Sequence, residues 1–161
     1  MKRIILYSAS VALLLGVVAL GWAALKHRHS PSSSERQWIE LTNQARVKEG
    51  RPELRRDPAL CAVASHYAER LARQGSPKIV KTTKAVYEEL EAAGYKAKWF
   101  GINSDALAGP DVAVAHENMM KMLPTLCEIL APGYEEVGVA IVAGPDRTKY
   151  YFTMVFATRK K

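Results

Sequence analysis

The amino-acid sequence predicts an α/β domain in which about four helices flank a small, mainly antiparallel sheet, preceded by one N-terminal transmembrane helix. Three observations support this prediction. An uncharged apolar stretch runs from Ile4 to Leu25. Segments with apolar residues at helical spacing occupy the first half of the remaining chain. Two alternating apolar runs, joined by a turn-rich segment, close the sequence and indicate a terminal β-hairpin.

The N-terminal apolar segment is long enough to cross a membrane. As a helix, its 22 residues span about 33 Å, whereas the apolar region of a cleaved signal peptide usually has about 7–15 residues. Weak small-x-small cleavage sites within residues 19–23 leave cleavage open. We therefore divide the chain into an anchor or uncleaved signal at residues 1–29, a serine-containing tether at residues 30–34 and a domain at residues 35–161.

Capping residues locate the predicted helices of the domain. Ser34 is a candidate N-cap for a helix over residues 35–49, which ends at Gly50. The second helix is expected to begin at Asp57-Pro58 and to end at Gly75, with one apolar face. Two shorter helices are predicted over residues 84–93, capped by Thr83 and closed by Gly94, and over residues 112–122, after Asp111.

The predicted strands lie in the second half of the domain. Residues 95–103 are expected to form one strand. Val137, Val139 and Ile141 alternate with other residues in a second strand, which precedes the turn-rich residues 144–147. Residues 150–158 then return as the partner strand of a hairpin.

The charge of the chain does not indicate nucleic-acid binding. The net charge is +7, but four basic side chains flank the apolar segment, and the rest of the chain carries only +3. Charges of both signs are interspersed, unlike the basic stripe typical of a nucleic-acid-binding protein. The basic tail at residues 159–161 is expected to fray in solvent rather than to bind a partner.

The order of several short motifs resembles the CAP family, which comprises cysteine-rich secretory proteins, antigen 5 and pathogenesis-related proteins. Asn43 and Arg46 match its N-x-x-R pattern, and residues 54–60 match its L-x-x-D-P-x-L. Residues 90–95 are similar to its L-x-x-A-G-Y, and the terminal hairpin also fits. The resemblance covers residues 35–158 and implies an α-β-α sandwich outside the cytoplasm.

The residues of that family's polar cleft are mostly replaced in this chain. The signature G-E-N is present as Gly101-Ile102-Asn103, and the histidine of G-H-R-x-N-I-L is Thr125. The cleft is therefore expected either to have filled in or to have become an apolar groove for a lipid tail or a partner helix. The candidate cavity residues are Ile102, Asn103, Met119, Met122 and Thr125.

No catalytic, metal or cofactor site is predicted. The domain has two histidines, His66 and His116, and neither belongs to a close pair of metal ligands. Cys61 and His66 are five residues apart on one helix, so they point in different directions and do not form a nucleophile–base pair. Cys61 and Cys127 either form a disulfide or are separate small hydrophobic residues.

These observations, with the breadth of functions in the resembling family, give an expectation of function. We expect a non-enzymatic interaction or scaffold module of the cell envelope that binds a protein, glycan or lipid partner. It is expected to be membrane-tethered and extracytoplasmic, or secreted if the N-terminal segment is cleaved. The first alternative is binding of a lipid or sterol-type ligand, and the second is an envelope hydrolase.

Overall fold

The computed structural model describes residues 31–78 and 82–161. The predicted anchor over Ile4–Leu25 lies outside the described residues. Of the helices within the described ranges, none has the length and apolar character needed to span a bilayer.

Helices and strands follow one another in the predicted order, with two additions that the sequence did not indicate. The additions are a two-residue strand, β1, and a helix, α5, so the sheet is flanked by five helices in the described residues rather than by about four. The elements are α1 (Ser33–Lys48), β1 (Arg55–Arg56), α2 (Pro58–Gln74), α3 (Thr83–Ala92), β2 (Ala97–Leu107), α4 (Val112–Lys121), α5 (Leu123–Leu130), β3 (Glu136–Ala143) and β4 (Tyr150–Arg159).

Local capping chemistry sets the helix starts. The N-cap of α1 is Ser32 rather than the predicted Ser34: the Ser32 hydroxyl accepts a hydrogen bond from the Glu35 backbone, and the Glu35 carboxylate accepts one from the Ser32 backbone. This reciprocal pair is a capping box. The start of α2 after Asp57 and its end at Gly75, which has a φ of 67°, are confirmed. The N-cap of α3 is Thr82, one residue before the predicted Thr83.

The sheet has four strands in the order β1-β3-β4-β2. The β3–β4 hairpin is confirmed, and β4 also pairs antiparallel with β2, whereas β1 pairs parallel with β3. Strand β2 begins and ends later than predicted, because its pairing with β4 extends from Ala97 opposite Arg159 to Leu107 opposite Tyr150. Within the sheet β2 is an edge strand, with β4 as its one neighbour.

The two faces of the sheet are covered by different helices, which confirms the α-β-α sandwich. Successive residues of a strand point to opposite faces. In β4, Phe152 and Phe156 pack with residues of α1, α4 and α5, whereas Val155 and Ala157 pack with residues of α2 and α3. The sheet therefore separates two apolar layers, which we call the α1 face and the α2 face.

The N-x-x-R motif of α1 is part of the framework. The Asn43 side-chain amide donates to the Leu54 carbonyl at 3.1 Å and accepts from the Leu54 backbone at 2.9 Å. Arg46 is fully buried, and its guanidinium donates to four backbone carbonyls. These carbonyls belong to Pro52, Ile129, Ala131 and Tyr134, at 2.6 to 3.4 Å. Arg46 therefore joins α1 to the end of α5 and to the segment before β3.

Candidate functional site

The five candidate cavity residues do not share one cavity, because the sheet divides them. Ile102 lies on the α2 face, where it packs against the cluster that contains Leu60 and Tyr67. The neighbouring Asn103 points to the α1 face, where it contacts α5. Adjacent strand residues must diverge in this way. The second and third positions of the G-E-N signature, Ile102 and Asn103, therefore lie on opposite faces of the sheet.

Asn103 and Thr125 fasten the α4–α5 junction to strand β2. The Asn103 amide donates to the Thr125 carbonyl at 3.0 Å. The Thr125 hydroxyl donates to the carbonyl of Met122 at 2.9 Å and contacts the carbonyl of Met119. Both polar residues are buried. The Thr125 hydroxyl therefore serves carbonyls at the end of α4, and the Asn103 amide serves a carbonyl in the first turn of α5. Both side chains have a structural role.

The two candidate methionines lie in different environments. Met119 is 1% exposed and belongs to the core on the α1 face. Met122 is 52% exposed, at the residue between α4 and α5. An enclosed apolar groove lined by both side chains is therefore not formed.

A carboxylate–tyrosine pair that the sequence did not indicate lies on β2 beside Asn103. The Tyr134 hydroxyl donates to the Glu128 carboxylate at 2.6 Å, and the Tyr134 ring stacks on Phe156 with centroids 5.6 Å apart. A Cβ at Gly101 would overlap the Glu128 carboxylate and lie 2.6 Å from the Tyr134 hydroxyl. Burial, and then the hydrogen bond to Glu128, raise the pKa of Tyr134. Gly101 therefore permits this close approach.

His66 lies among charged side chains between α2 and α3. Its Nδ1 atom is 4.0 Å from Glu89 Oε1, and an Arg70 guanidinium nitrogen is 3.7 Å from the same oxygen. The Arg70 guanidinium also lies 4.3 Å from the centroid of the Tyr67 ring. The other histidine of the domain, His116, is half-buried, and burial lowers its pKa. Within residues 31–78 and 82–161, no group of three or more His, Cys, Asp or Glu side chains is placed to hold a metal ion.

The two cysteines are free thiols on opposite faces of the sheet. Cys61 is buried in α2, whereas Cys127 is exposed on α5. Burial raises the pKa of the Cys61 thiol. The surroundings of Cys61 are those of a small buried hydrophobic residue, which is one of the two interpretations given above.

Thiol labelling distinguishes these environments. We expect the full chain in neutral detergent to react with one equivalent of a disulfide reagent in the native state, at the exposed Cys127, and with a second equivalent after unfolding. Only a thiolate reacts rapidly, and burial raises the pKa of the Cys61 thiol until the chain unfolds. Cys127→Ser should remove the fast phase, and Cys61→Ser should leave it unchanged. No reaction before reduction would show that the two cysteines are paired.

The basic tail is held in place over its first two residues, so the expectation that residues 159–161 fray is wrong there. Arg159 ends β4 and donates to Asp57 at 2.7 Å, and its Nε is 3.3 Å from Glu136. Tyr95 donates to the same Glu136 oxygen at 2.6 Å, and the Arg159 guanidinium lies 4.1 Å from the Tyr95 ring centroid. The backbone N–H of Lys160 then donates to a carbonyl before β2.

A shallow cleft of about 360 Å³ lies between the end of α2 and the β3–β4 turn. Arg73, Asp146 and Lys149 are among its polar lining residues. The Asp146 carboxylate accepts hydrogen bonds from the backbone and the hydroxyl of Thr148, at 3.0 and 2.8 Å. The Asp146 carboxylate therefore stabilises the turn between β3 and β4.

Comparison with known protein families gives one match that covers most of the domain. The model of the family described as CAP, the cysteine-rich secretory protein family, matches residues 39–156. No curated protein sequence shows significant similarity to the chain.

Solved structures with the same fold come from several bacteria. An extracellular protein of Bacillus anthracis that contains an SCP domain is 18% identical with a TM-score of 0.66, covering 79% of this chain and 40% of that chain. A cysteine-rich secretory protein of Staphylococcus aureus is 19% identical with a TM-score of 0.64, covering 80% and 39%. An outer surface protein of Borrelia burgdorferi is 15% identical with a TM-score of 0.65, covering 83% and 98%. The chain thus spans about two fifths of the first two proteins, and these likenesses concern the fold.

Proposed function

The chain belongs to the CAP family of cysteine-rich secretory proteins, and from this premise we propose that residues 35–161 form a non-enzymatic binding domain that acts through its outer surface. The observation that supports this proposal is that the residues at the family's cleft positions make contacts within the fold. Asn103 and Thr125 are hydrogen-bonded to backbone carbonyls, and Ile102 packs against α2. Side chains that hold the fold together in this way leave the surface as the place where a partner is bound.

We further propose that the domain lies outside the cytoplasm and is anchored by Ile4–Leu25, or is secreted where that segment is cleaved. The uncharged length of the segment supports the anchor. The extracellular and outer-surface proteins with the same fold support the location. We expect the full chain to stay in the membrane pellet after alkaline carbonate extraction and to be digested by protease added to intact cells. Release at high pH with a shortened N-terminus would instead show cleavage.

Surface binding is tested by photocrosslinking in cells. A photoreactive amino acid is placed in turn at four exposed apolar positions, Val47, Trp99, Val114 and Leu123, which are 44–70% exposed. We expect a discrete crosslinked product from some of these positions and none from the buried position Met119, which serves as the control. Absence of a product from every exposed position would contradict the binding function.

The alternative of an apolar ligand is tested by native mass spectrometry of the full chain released from detergent. We expect the mass of the polypeptide alone, because Met119 is packed in the core and Met122 is exposed. A bound lipid that Met119→Gln removes and the exposed Met122→Gln retains would favour the carrier function over surface binding.

A further inference from the structure

The pairing of β2 with β4 brings four lysines to one corner of the sheet. Ala97 at the start of β2 lies opposite Arg159 at the end of β4, and the Lys160 backbone N–H donates to the Lys96 carbonyl at 2.9 Å. The residues on either side of these positions are therefore neighbours. The lysines are Lys96, Lys98, Lys160 and Lys161, and all four are exposed.

An exposed tryptophan lies at the same corner. Trp99 is 56% exposed, pairs with Thr158 of β4 and shares the α1 face of β2 with Gly101. The Lys98 ammonium is 5.8 Å from the centroid of the Trp99 ring, within the range of a cation–π interaction. Although Trp99 lies on the α1 face, it is not among the residues of the hydrophobic core on that face. We call Trp99 and the four lysines the basic corner.

The positive charge of the basic corner is not neutralised by its acidic neighbours. The carboxylates of Asp57 and Glu136 pair with Arg159, and that of Glu128 accepts from Tyr134. In the described part of the chain, no acidic side chain lies within 4 Å of the four lysine ammoniums. Lysines on helices elsewhere do form such pairs, as Lys84 with Glu88 at 3.8 Å and Lys121 with Glu117 at 2.6 Å show.

The basic corner lies far from the point at which the chain enters the domain. In the second turn of α1, Trp38 packs edge-on against Phe152, near the beginning of β4. The corner lies at the other end of β4, about 20–25 Å away at the usual rise of a strand. The corner therefore lies at the opposite end of β4 from the residues that contact Trp38 of α1.

From this arrangement, and resting on the proposed binding function, we infer that the basic corner binds an acidic glycan, a polysaccharide whose sugar rings carry carboxylate or phosphate groups. The exposed indole offers an apolar surface against which one face of a sugar ring packs. The lysine ammoniums attract the anionic groups of neighbouring sugars along the chain. A neutral polysaccharide would use only the indole, and a flexible polyanion without rings would use only the lysines.

Binding of oligogalacturonate to the full chain in neutral detergent tests this inference, with calorimetry as the measurement. We expect binding that weakens as salt rises, because salt screens exposed charges. Trp99→Ala should weaken it by roughly tenfold or more, as for a tryptophan at the centre of a contact. The double variant Lys98→Glu/Lys160→Glu should weaken it at least as much and reduce the salt dependence.

The matched control is Lys78→Glu/Lys149→Glu, which changes the net charge equally at exposed positions away from the corner. We expect this pair to stay within about twofold of the parent affinity. All variants change exposed residues, so unchanged thermal unfolding midpoints are expected and verify folding. Equal losses in both double variants, or full affinity in Trp99→Ala, would overturn the inference.

Other polyanions complete the test. Poly-glutamate of matched charge should bind at least tenfold more weakly than oligogalacturonate, since it has no rings to pack on Trp99. Stronger binding to anionic lipid vesicles or to a single-stranded oligonucleotide would overturn the inference in favour of that partner, and so would absence of glycan binding. Crosslinks from Leu123 but not from Trp99 would likewise reject the basic corner while leaving the binding function intact.

Discussion

Arg46→Met is expected to lower the free energy of unfolding by about 3–5 kcal/mol, because it removes the buried guanidinium that serves four backbone carbonyls. Methionine fills much of the same volume but donates no hydrogen bond, so the carbonyls at the end of α5 are left without these donors. Chemical denaturation of the full chain in neutral detergent measures the change. Since the free energy of unfolding of a typical domain is about 5–15 kcal/mol, such a loss removes a large part of it.

Arg36→Met is the matched control on the same helix. Arg36 is exposed, and its guanidinium donates to one carbonyl, that of Pro31. Its replacement should change the free energy of unfolding by no more than about 0.5 kcal/mol. Arg46→Lys should fall between parent and methionine variant, since an ammonium lacks the planar fork of a guanidinium. Similar losses from Arg36→Met and Arg46→Met would contradict the framework role.

Gly138→Ala is expected to have an effect of similar size for a steric reason. A Cβ at Gly138 would overlap the backbone carbon of Leu60 and the backbone nitrogen of Cys61, at the start of α2. A helix backbone cannot rotate away as a side chain can, so α2 must move off the sheet. We expect a loss of about 3 kcal/mol or more, at the upper end of the usual cost of overpacking, measured by the same denaturation experiment.

Gly109→Ala provides the comparison for this variant. Apart from Gly109 and its two chain neighbours, no residue in the described ranges has an atom within 4 Å of a Cβ built at Gly109. The substitution should leave stability unchanged or raise it by up to about 1 kcal/mol, because alanine restricts the unfolded chain. If Gly138→Ala were as stable as Gly109→Ala, the close contact between α2 and β3 would be wrong.

The elements that the sequence predicted well are those whose limits are set by local chemistry. Asp57-Pro58 and Gly75 mark the limits of α2 because a carboxylate cap and a left-handed glycine act over a few residues. The start of α1 is also set by local chemistry, since Ser32 and Glu35 are three residues apart in the S-x-x-E pattern of a capping box. Of the three consecutive serines at residues 32–34, Ser32 is the one that forms the capping box with Glu35.

The elements that the sequence missed depend on distant contacts. Helix α5 has only eight residues and no side-chain cap at Met122, so no capping residue marks its start. The proline in its first turn and the buried residues Thr125 and Ile129, four positions apart, are weak local signals of a helix. Its position is set by Arg46 and Asn103, which contact it from α1 and β2. Strand β1 has two residues and exists through its pairing with β3.

The candidate site was only partly predictable for a geometric reason. Ile102 and Asn103 both fall at positions of the family's polar cleft, but a strand sends adjacent residues to opposite faces. The alternation of side chains along a strand therefore predicts that these two residues do not share a cavity. The Glu128–Tyr134 pair depends on the packing of α5 near β2, and the basic corner depends on the pairing of β2 with β4. No local pattern in any one segment indicates these contacts.

We propose that the family's cleft positions hold this fold together instead of binding a ligand, and the stability of Asn103→Ala and Thr125→Val tests this proposal most directly. Each variant removes hydrogen bonds to buried backbone carbonyls, so each should lower the free energy of unfolding by about 1–3 kcal/mol. Residues kept for ligand binding often cost stability, and their replacement then raises it. Unchanged or increased stability in both variants would contradict the claim.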